Sequence, residues 1–537
     1  MILHGATKQA VNQTASVPAP VGGLNARDSL AAMPPTDAVI LQNWWPQPYG
    51  VSVRKGYREW ATGMPDQIGT LAPWAGADGT QKFFAWSADK VYDITTPGVV
   101  GAALISGLTN SVWDTVNVVN SAGSFLIALN GVDDGIIYGP NIPVPGPPGG
   151  ARIVAGNGTD PYTWAGIDPK NCVCPTVHQH RLWVVQKDSS VGWYLGPDLI
   201  KGTFDYFDFG PLFSRGGFLQ FLTTWTLDDG NGAEDHLIAC SSRGEVVVFA
   251  GTNPDDDTKW FLAGVYFIGA PVGGRRAYCK AGGDQYILTQ QGVVSMSATL
   301  TSTKVNAAED KLVTKKIQFL ISELTSTYGP LFGWDMKYYP KDNQLILNVP
   351  SVTVGGNIQL AANQITNAWT EFRDIDAVCW QSFGSAQFFG DYNGRVLAFW
   401  YGTIDDVKLD GTGGRGIISS VMQAYSYLGA TATQKQVGMY RPTFIVNAPI
   451  TVSASILYDF STADIPAPTS PPKNYLALWN YGLWGTAIWG GGDEVQKQWI
   501  QASGMGVAAA LRMVTQTEAE VLWVATDYSF VHGTGLF

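Results

Sequence analysis

Residues 236–251, HLIACSSRGEVVVFAG, decide how the rest of the chain is read. Two short apolar runs flank a polar turn with Gly244 at its tip, the pattern of a β-hairpin. Val246, Val247, Val248 and Phe249 do not alternate with polar residues, so both faces of that strand are expected to meet protein. The same unit recurs at FFAWSADKVYDI (83–94), SFLIALNGVDDGIIYG (124–139), RLWVVQKDSSVGWYLG (181–196), YILTQQGVVSMS (286–297), MKYYPKDNQLILNV (336–349) and QFFGDYNGRVLAFW (387–400). Taken at positions 89, 131, 188, 244, 292, 343 and 393, the turns stand 42, 57, 56, 48, 51 and 50 residues apart. A hairpin about every fifty residues, with strands apolar on both faces, is what stacked propeller blades require. The chain therefore reads as all-β, a β-propeller of six or seven blades. One large sandwich or several small β-domains are the alternatives.

The rest of the chain divides around that cadence. Residues 1–56 read as an N-terminal arm and clasp, polar and Pro-punctuated at first. Pro34-Pro35 with Asp37 just beyond predicts a short helix over residues 36–43, closed by Pro46. Residues 57–410 carry the hairpins. Two segments interrupt them: a Pro/Gly loop at 139–150, and a helix over 306–324, with Asn306 and Glu309 spaced as a capping box and Val313, Ile317, Leu320 and Leu324 on one face. Residues 411–537 read as a C-terminal antiparallel sheet or sandwich, with strands over 441–460 around Asn447-Ala448-Pro449, then over 498–503, 507–514 and 520–531.

Composition narrows the function. Only 14% of the 537 residues are charged, against roughly 25% in an ordinary soluble protein, while 20 are Trp. Few charges beside so many rings imply an exterior partly covered by partner subunits. A net charge of −11 argues against a nucleic-acid-binding surface and suits a passage along which DNA slides without sticking. Five cysteines, an odd and scattered number, do not make a disulfide framework and favour folding in a reducing cytoplasm. The first twenty residues lack a signal-peptide core, and no run reaches the ~18 apolar residues of a membrane helix, so no membrane anchoring is expected.

Chemistry-bearing patterns are sparse. Cys172, Cys174, His178 and His180 lie within nine residues (CVCPTVHQH), and each i,i+2 pair would face one way on a strand. The spacing is tighter than zinc sites use, so small buried thiols and edge histidines are the preferred reading. Residues 253–258, NPDDDT, lack the Gly and terminal Glu of a calcium loop. The Gly-rich run 411–416 has no following Lys-Ser/Thr and is not a phosphate loop. Asp228, Asp229, Glu234 and Asp235 are dense enough to raise a funnel glycosidase, yet nothing pairs them with a distant acid. No catalytic residue, metal ligand or cofactor is expected. Trp44, Trp45, Trp479, Trp484 and Trp489 are the candidate interface residues, with a packed core as the alternative. The loops 139–150 and 228–234 are candidates to narrow a channel.

Three groups of stretches carry a resemblance: GGLNARDSLAAMPPTDAVILQNWWPQPYGVSVRKGY (22–57); RGEVVVFAGTNPDDDTKWFLAGVYFIGAPVGGRR (243–276) with GGDQYILTQQGVVSMS (282–297); and FFGDYNGRVLAFW (388–400) followed by QKQVGMYRPTF (434–444). In this order they are similar to the tail nozzle, or tail-tube hub, proteins of short-tailed bacteriophages. The resemblance spans about residues 22–444 and extends more weakly through the Trp-rich tail. It implies a structural virion protein, a propeller subunit with added β-domains. Six copies would form a ring around a DNA channel below the portal and adaptor, docking tail fibres or spikes. It implies assembly in a bacterial host's cytoplasm and residence in the virion tail, and it supplies no catalytic residues. A propeller-type glycosidase or depolymerase and a carbohydrate-binding adhesin are the competing classes.

Overall fold

The structure, a computed structural model, describes residues 12–139, 151–158, 162–228, 233–256, 258–301, 311–352, 356–468 and 493–533. The architecture is all-β and propeller-like, with two α-helices among the described residues. None of these helices is long and apolar enough to cross a membrane. The chain forms two compact units, one of residues 58–359 and 374–399, the other of residues 1–57, 360–373 and 400–537.

In the larger unit each of the seven turns joins two neighbouring antiparallel strands. Gln81–Ser87 turns into Lys90–Asp93, Gly123–Leu129 into Gly135–Tyr138, and Arg181–Gln186 into Val191–Tyr194. Ala233–Ser241 turns into Glu245–Gly251, Asp284–Thr289 into Gly292–Ser295, Asp335–Tyr339 into Gln344–Val349, and Ala386–Asp391 into Val396–Phe399. The turns fall there because Asp188, Asn343, Gly131, Gly244 and Gly394 take the left-handed conformation that reverses the chain. At the centre of the repeat, Val246, Val247 and Val248 are fully buried, which is why that strand carries no polar alternation.

The first strands of successive hairpin sheets lie side by side. Asp114–Asn120 neighbours Cys172–His178, which neighbours Leu219–Asp228; Tyr278–Ala281 neighbours Asp335–Tyr339, which neighbours Ala377–Phe383. Ala377–Phe383 in turn packs beside Ile68–Ala75, bringing the end of the series back to its beginning. Residues 58–62 pair with Val396–Phe399, so a strand from before the first hairpin completes the last sheet.

The smaller unit interleaves the two ends of the chain. Val521–His532 pairs antiparallel with Lys435–Val446 from Val446↔Val521 to Lys435↔His532. On its other side it pairs with Asn12–Pro18, from Asn12↔Val531 to Pro18↔Ala525. Gly413–Gln423 pairs with both Asp37–Gln42 and Ala509–Thr517, and Ala509–Thr517 also pairs with Val452–Tyr458. The strands expected around Asn447 therefore form, but enter different sheets; residues 498–503 supply only the short strand Ile500–Gln501. A buried ion pair ties this unit. Arg54 donates to Asp405 through two nitrogens at 2.7 and 2.6 Å, to Asn43 Oδ1 at 2.9 Å, and to the Lys55 and Arg373 carbonyls.

Two local expectations are corrected. Residues 36–43 are not helical: Asp37 N–H closes a turn onto the Pro34 carbonyl and Asp37–Gln42 is a strand. Val39, Ile40 and Leu41 favour the extended chain, and cross-strand partners override the N-terminal helix cues. The later helix is Gln318–Tyr328, led by a 3-10 turn at Lys315–Ile317, with Ile321 and Leu324 buried. Val313 lies before it, bonded to the Val293 carbonyl as a strand neighbour. Asn306 and Glu309 lie outside the described residues.

Candidate functional site: a polar funnel in the larger unit

Two neighbouring cavities lie among the inner strands of the larger unit and share lining residues. The outer one has a volume of about 400 Å3, and Phe218, Lys187 and Phe332 are among its lining residues. The inner one, about 160 Å3, is lined by Cys174, Tyr278, Asp335, Lys337 and Cys379 among others. Asp114, Arg275 and Arg276 line both, and so stand at the waist.

The sequence PVGGRR builds that waist. Gly273, at φ +88, leads a 3-10 turn Gly274–Arg276, and a Cβ on it would lie 2.9 Å from that of Trp334. The turn delivers two adjacent arginines inward. Arg275 Nε pairs with Asp114 Oδ2 at 2.8 Å, and the same carboxylate oxygen accepts from the Cys174 N–H at 3.1 Å. Arg276 Nη2 donates to the Gly69 carbonyl at 2.8 Å and to Thr70 Oγ1 at 3.0 Å. Both arginines thus connect the sheet beginning at Tyr278 to those beginning at Ile68 and Asp114, bridging the space that the inner strands enclose. Lower down, Asp335 Oδ2 accepts from Trp380 N–H at 2.9 Å, with Lys337 Nζ 3.9 Å from its other oxygen.

The groups that could act as nucleophiles are held neutral. Burial pushes the Cys174 thiol up to about 11, with the Asp114 charge adding to the effect. Burial likewise raises Cys379 to about 12 and carries Tyr278 well above its ordinary value. Of the three carboxylates lining the cavities, Asp114 and Asp335 are committed to structural donors, while Asp188 stands exposed at the outer one. The arrangement can hold a charged ligand; it offers no poised acid and base pair.

The other sequence candidates disperse. Cys172 and Cys174 do not face one way, because the pairing slips between Val173 and Thr176 and Cys174 takes φ 47. Cys172 enters the core around Leu182 and Phe204, whereas Cys174 enters that around Trp183 and Leu222. His178 Nδ1 meets Thr224 Oγ1 at 3.1 Å, and exposed His180 faces Asp198 at 3.4 Å. No group of three or more His, Cys, Asp or Glu among the described residues is arranged to hold a metal. Trp44 and Trp45 are buried within the chain: Trp44 lies 6.0 Å from the Trp523 ring, and Trp45 5.4 Å from that of Trp400. Trp479, Trp484 and Trp489 lie outside the described residues, as do residues 140–150 and 229–232 of the candidate gating loops. Asp235, at the edge of the second loop, accepts from Thr226 Oγ1 at 2.5 Å.

Sequence reasoning missed the arginine pair, whose only signal was two adjacent cations after two glycines. It also missed the outer strand Trp260–Phe267. Among the described residues that strand is last in its four-stranded sheet, pairing only with Glu245–Gly251, and it exposes Phe261 (55%), Leu262, Val265 and Phe267 (52%).

No protein-family model matches the chain, and no curated protein matches it. Among solved structures, the chain is similar to BBS1N, from its complex with ARL6DN, at 9% identity over 64% of this chain and 96% of that one, with a TM-score of 0.37. It is also similar to the computationally designed Ika8 protein, at 9% identity over 65% of this chain and 99% of that one, with a TM-score of 0.35. At these scores neither likeness carries an argument.

Proposed function

We propose that this chain is a structural subunit of a short-tailed phage tail, a nozzle protein that assembles as a six-membered ring, holds back the packaged genome and then conducts it. The observation that carries the reading is the edge strand Trp260–Phe267, which among the described residues has an unpaired edge and exposes four large apolar side chains. A lone soluble protein blunts such an edge, whereas a subunit covers it with its neighbour. The low charge content agrees. The stretches similar to tail nozzle proteins supply the identity of the assembly, its adaptor above, and the fibres or spikes docked on it.

Two features bear on mechanism. The arginine bridges at the funnel waist cross the space inside one copy, which supports a DNA passage between copies, on the ring's own axis. The net charge of −11 keeps that passage from gripping phosphates, provided acidic side chains line it. Asp114 and Asp335, each occupied by structural donors, speak against the glycosidase reading.

Electron microscopy of the purified protein, alone and with its neighbouring tail proteins, is the test. A ring is expected, and Phe261→Lys with Phe267→Glu is expected to leave folded single copies. A protein that stays single in both settings and cleaves polysaccharide would overturn the reading.

A further inference from the structure

We propose that the funnel of the larger unit is a binding site for a small acidic sugar, a uronic-acid-type unit whose carboxylate meets Arg276. This goes beyond the assembly role and does not depend on it. The argument begins with an imbalance of charge. Arg275 has its carboxylate in Asp114 at 2.8 Å, but Arg276 bonds only to the neutral oxygens of Gly69 and Thr70. Its Nη1 is buried and makes no hydrogen bond. Arg276 as a whole is half-buried, but a guanidinium nitrogen withdrawn from water without a partner favours an anion beside it. Among the described residues no carboxylate bonds to it, and the guanidinium borders both cavities.

The surroundings specify the rest of the ligand. Phe332 lies 5.3 Å from the Arg276 guanidinium, and its ring and that of Phe218 are partly exposed at the outer cavity. Exposed ring faces beside amide and cationic donors suit the C–H faces and hydroxyls of a sugar. Gln220 and Lys187 supply those donors. A volume of about 400 Å3 lies at the small end of ligand cavities, enough for one or two sugar rings.

Saturation-transfer NMR and calorimetry with glucuronate test the site, with glucose, acetate and inorganic phosphate as comparison ligands. Glucuronate is expected to bind, glucose not to, and acetate and phosphate to bind more weakly. Arg276→Gln is expected to weaken glucuronate about tenfold or more, as loss of a charged hydrogen bond does. Phe332→Ala, which leaves the hydrogen bonds and ion pair of the waist in place, is expected to weaken it severalfold and gives a second reading should Arg276→Gln not fold. The proposal is overturned if glucuronate does not bind, if acetate, phosphate or glucose binds as well, or if binding survives in every folded variant. Ring assembly, measured separately, is expected to be unchanged in Phe332→Ala.

Discussion

Replacing Asp405 with Ala would strand a fully enclosed cation of the smaller unit. The Arg54 side chain is 0% exposed and that of Asp405 2%, so water cannot take the carboxylate's place. Two of the guanidinium's contacts, at 2.7 and 2.6 Å, would vanish together, leaving the Asn43 side chain and two carbonyls to hold a full charge. Breaking a buried pair by removing one partner costs about 3–5 kcal/mol, because the survivor remains desolvated and uncompensated. For a unit of this size that lowers its melting transition by about 10 °C. Scanning calorimetry should show one transition move while that of the larger unit stays, since neither residue belongs to it. The double variant Arg54→Met/Asp405→Leu should recover most of the loss, as an apolar pair of similar volume does not strand a charge. A fall of less than about 1 kcal/mol in Asp405→Ala, the magnitude of an exposed pair, would refute the reasoning.

His178 gives a pH-dependent counterpart. Burial depresses its pKa from 6.5 to about 4, with the Asp235 charge opposing part of the effect. The unfolded chain therefore takes up a proton that the folded one refuses, and stability contributed above pH 6.5 is lost as pH falls from 6.5 towards 4, by about 3 kcal/mol in all. Denaturant titrations of wild type and His178→Leu across that window should diverge; parallel curves would count against it. Gly244→Ala should cost about 2–4 kcal/mol, since φ is +87 and the new Cβ would stand 2.2 Å from the Gly269 carbonyl carbon. An unchanged unfolding midpoint would contradict this.

The sequence made the hairpins legible because their information is local. An Asp, Asn or Gly at the tip and an apolar run on either side specify a reversal within a dozen residues. The same locality misled at residues 36–43, where Pro34, Pro35 and Asp37 signal a helix start but the decisive partners are Ser420 and Met422, almost four hundred residues away. Pairing at that separation leaves no periodic trace. Cys172 and Cys174 failed for a related reason: the two-residue alternation holds only in a regular strand, and the irregularity that breaks it is set by neighbours rather than by composition. At the funnel, Asp114 and the Arg275–Arg276 pair come from distant points of the chain, and only closure of the inner strands brings them together.

The pairing of Asn12–Pro18 with Val521–His532 sets a timetable. During synthesis the earliest of these residues leaves the ribosome some five hundred residues before its neighbour exists. The larger unit, apart from that delay, can begin folding from contacts made within each fifty-residue span, while the smaller unit must wait for nearly the whole polypeptide. In the interval the first segment is a bare strand seeking a mate, open to capture by another nascent chain. The last strand, once released, acts as the closing stitch. A ribosome that stalls before residue 521 leaves one unit finished and the other without its middle.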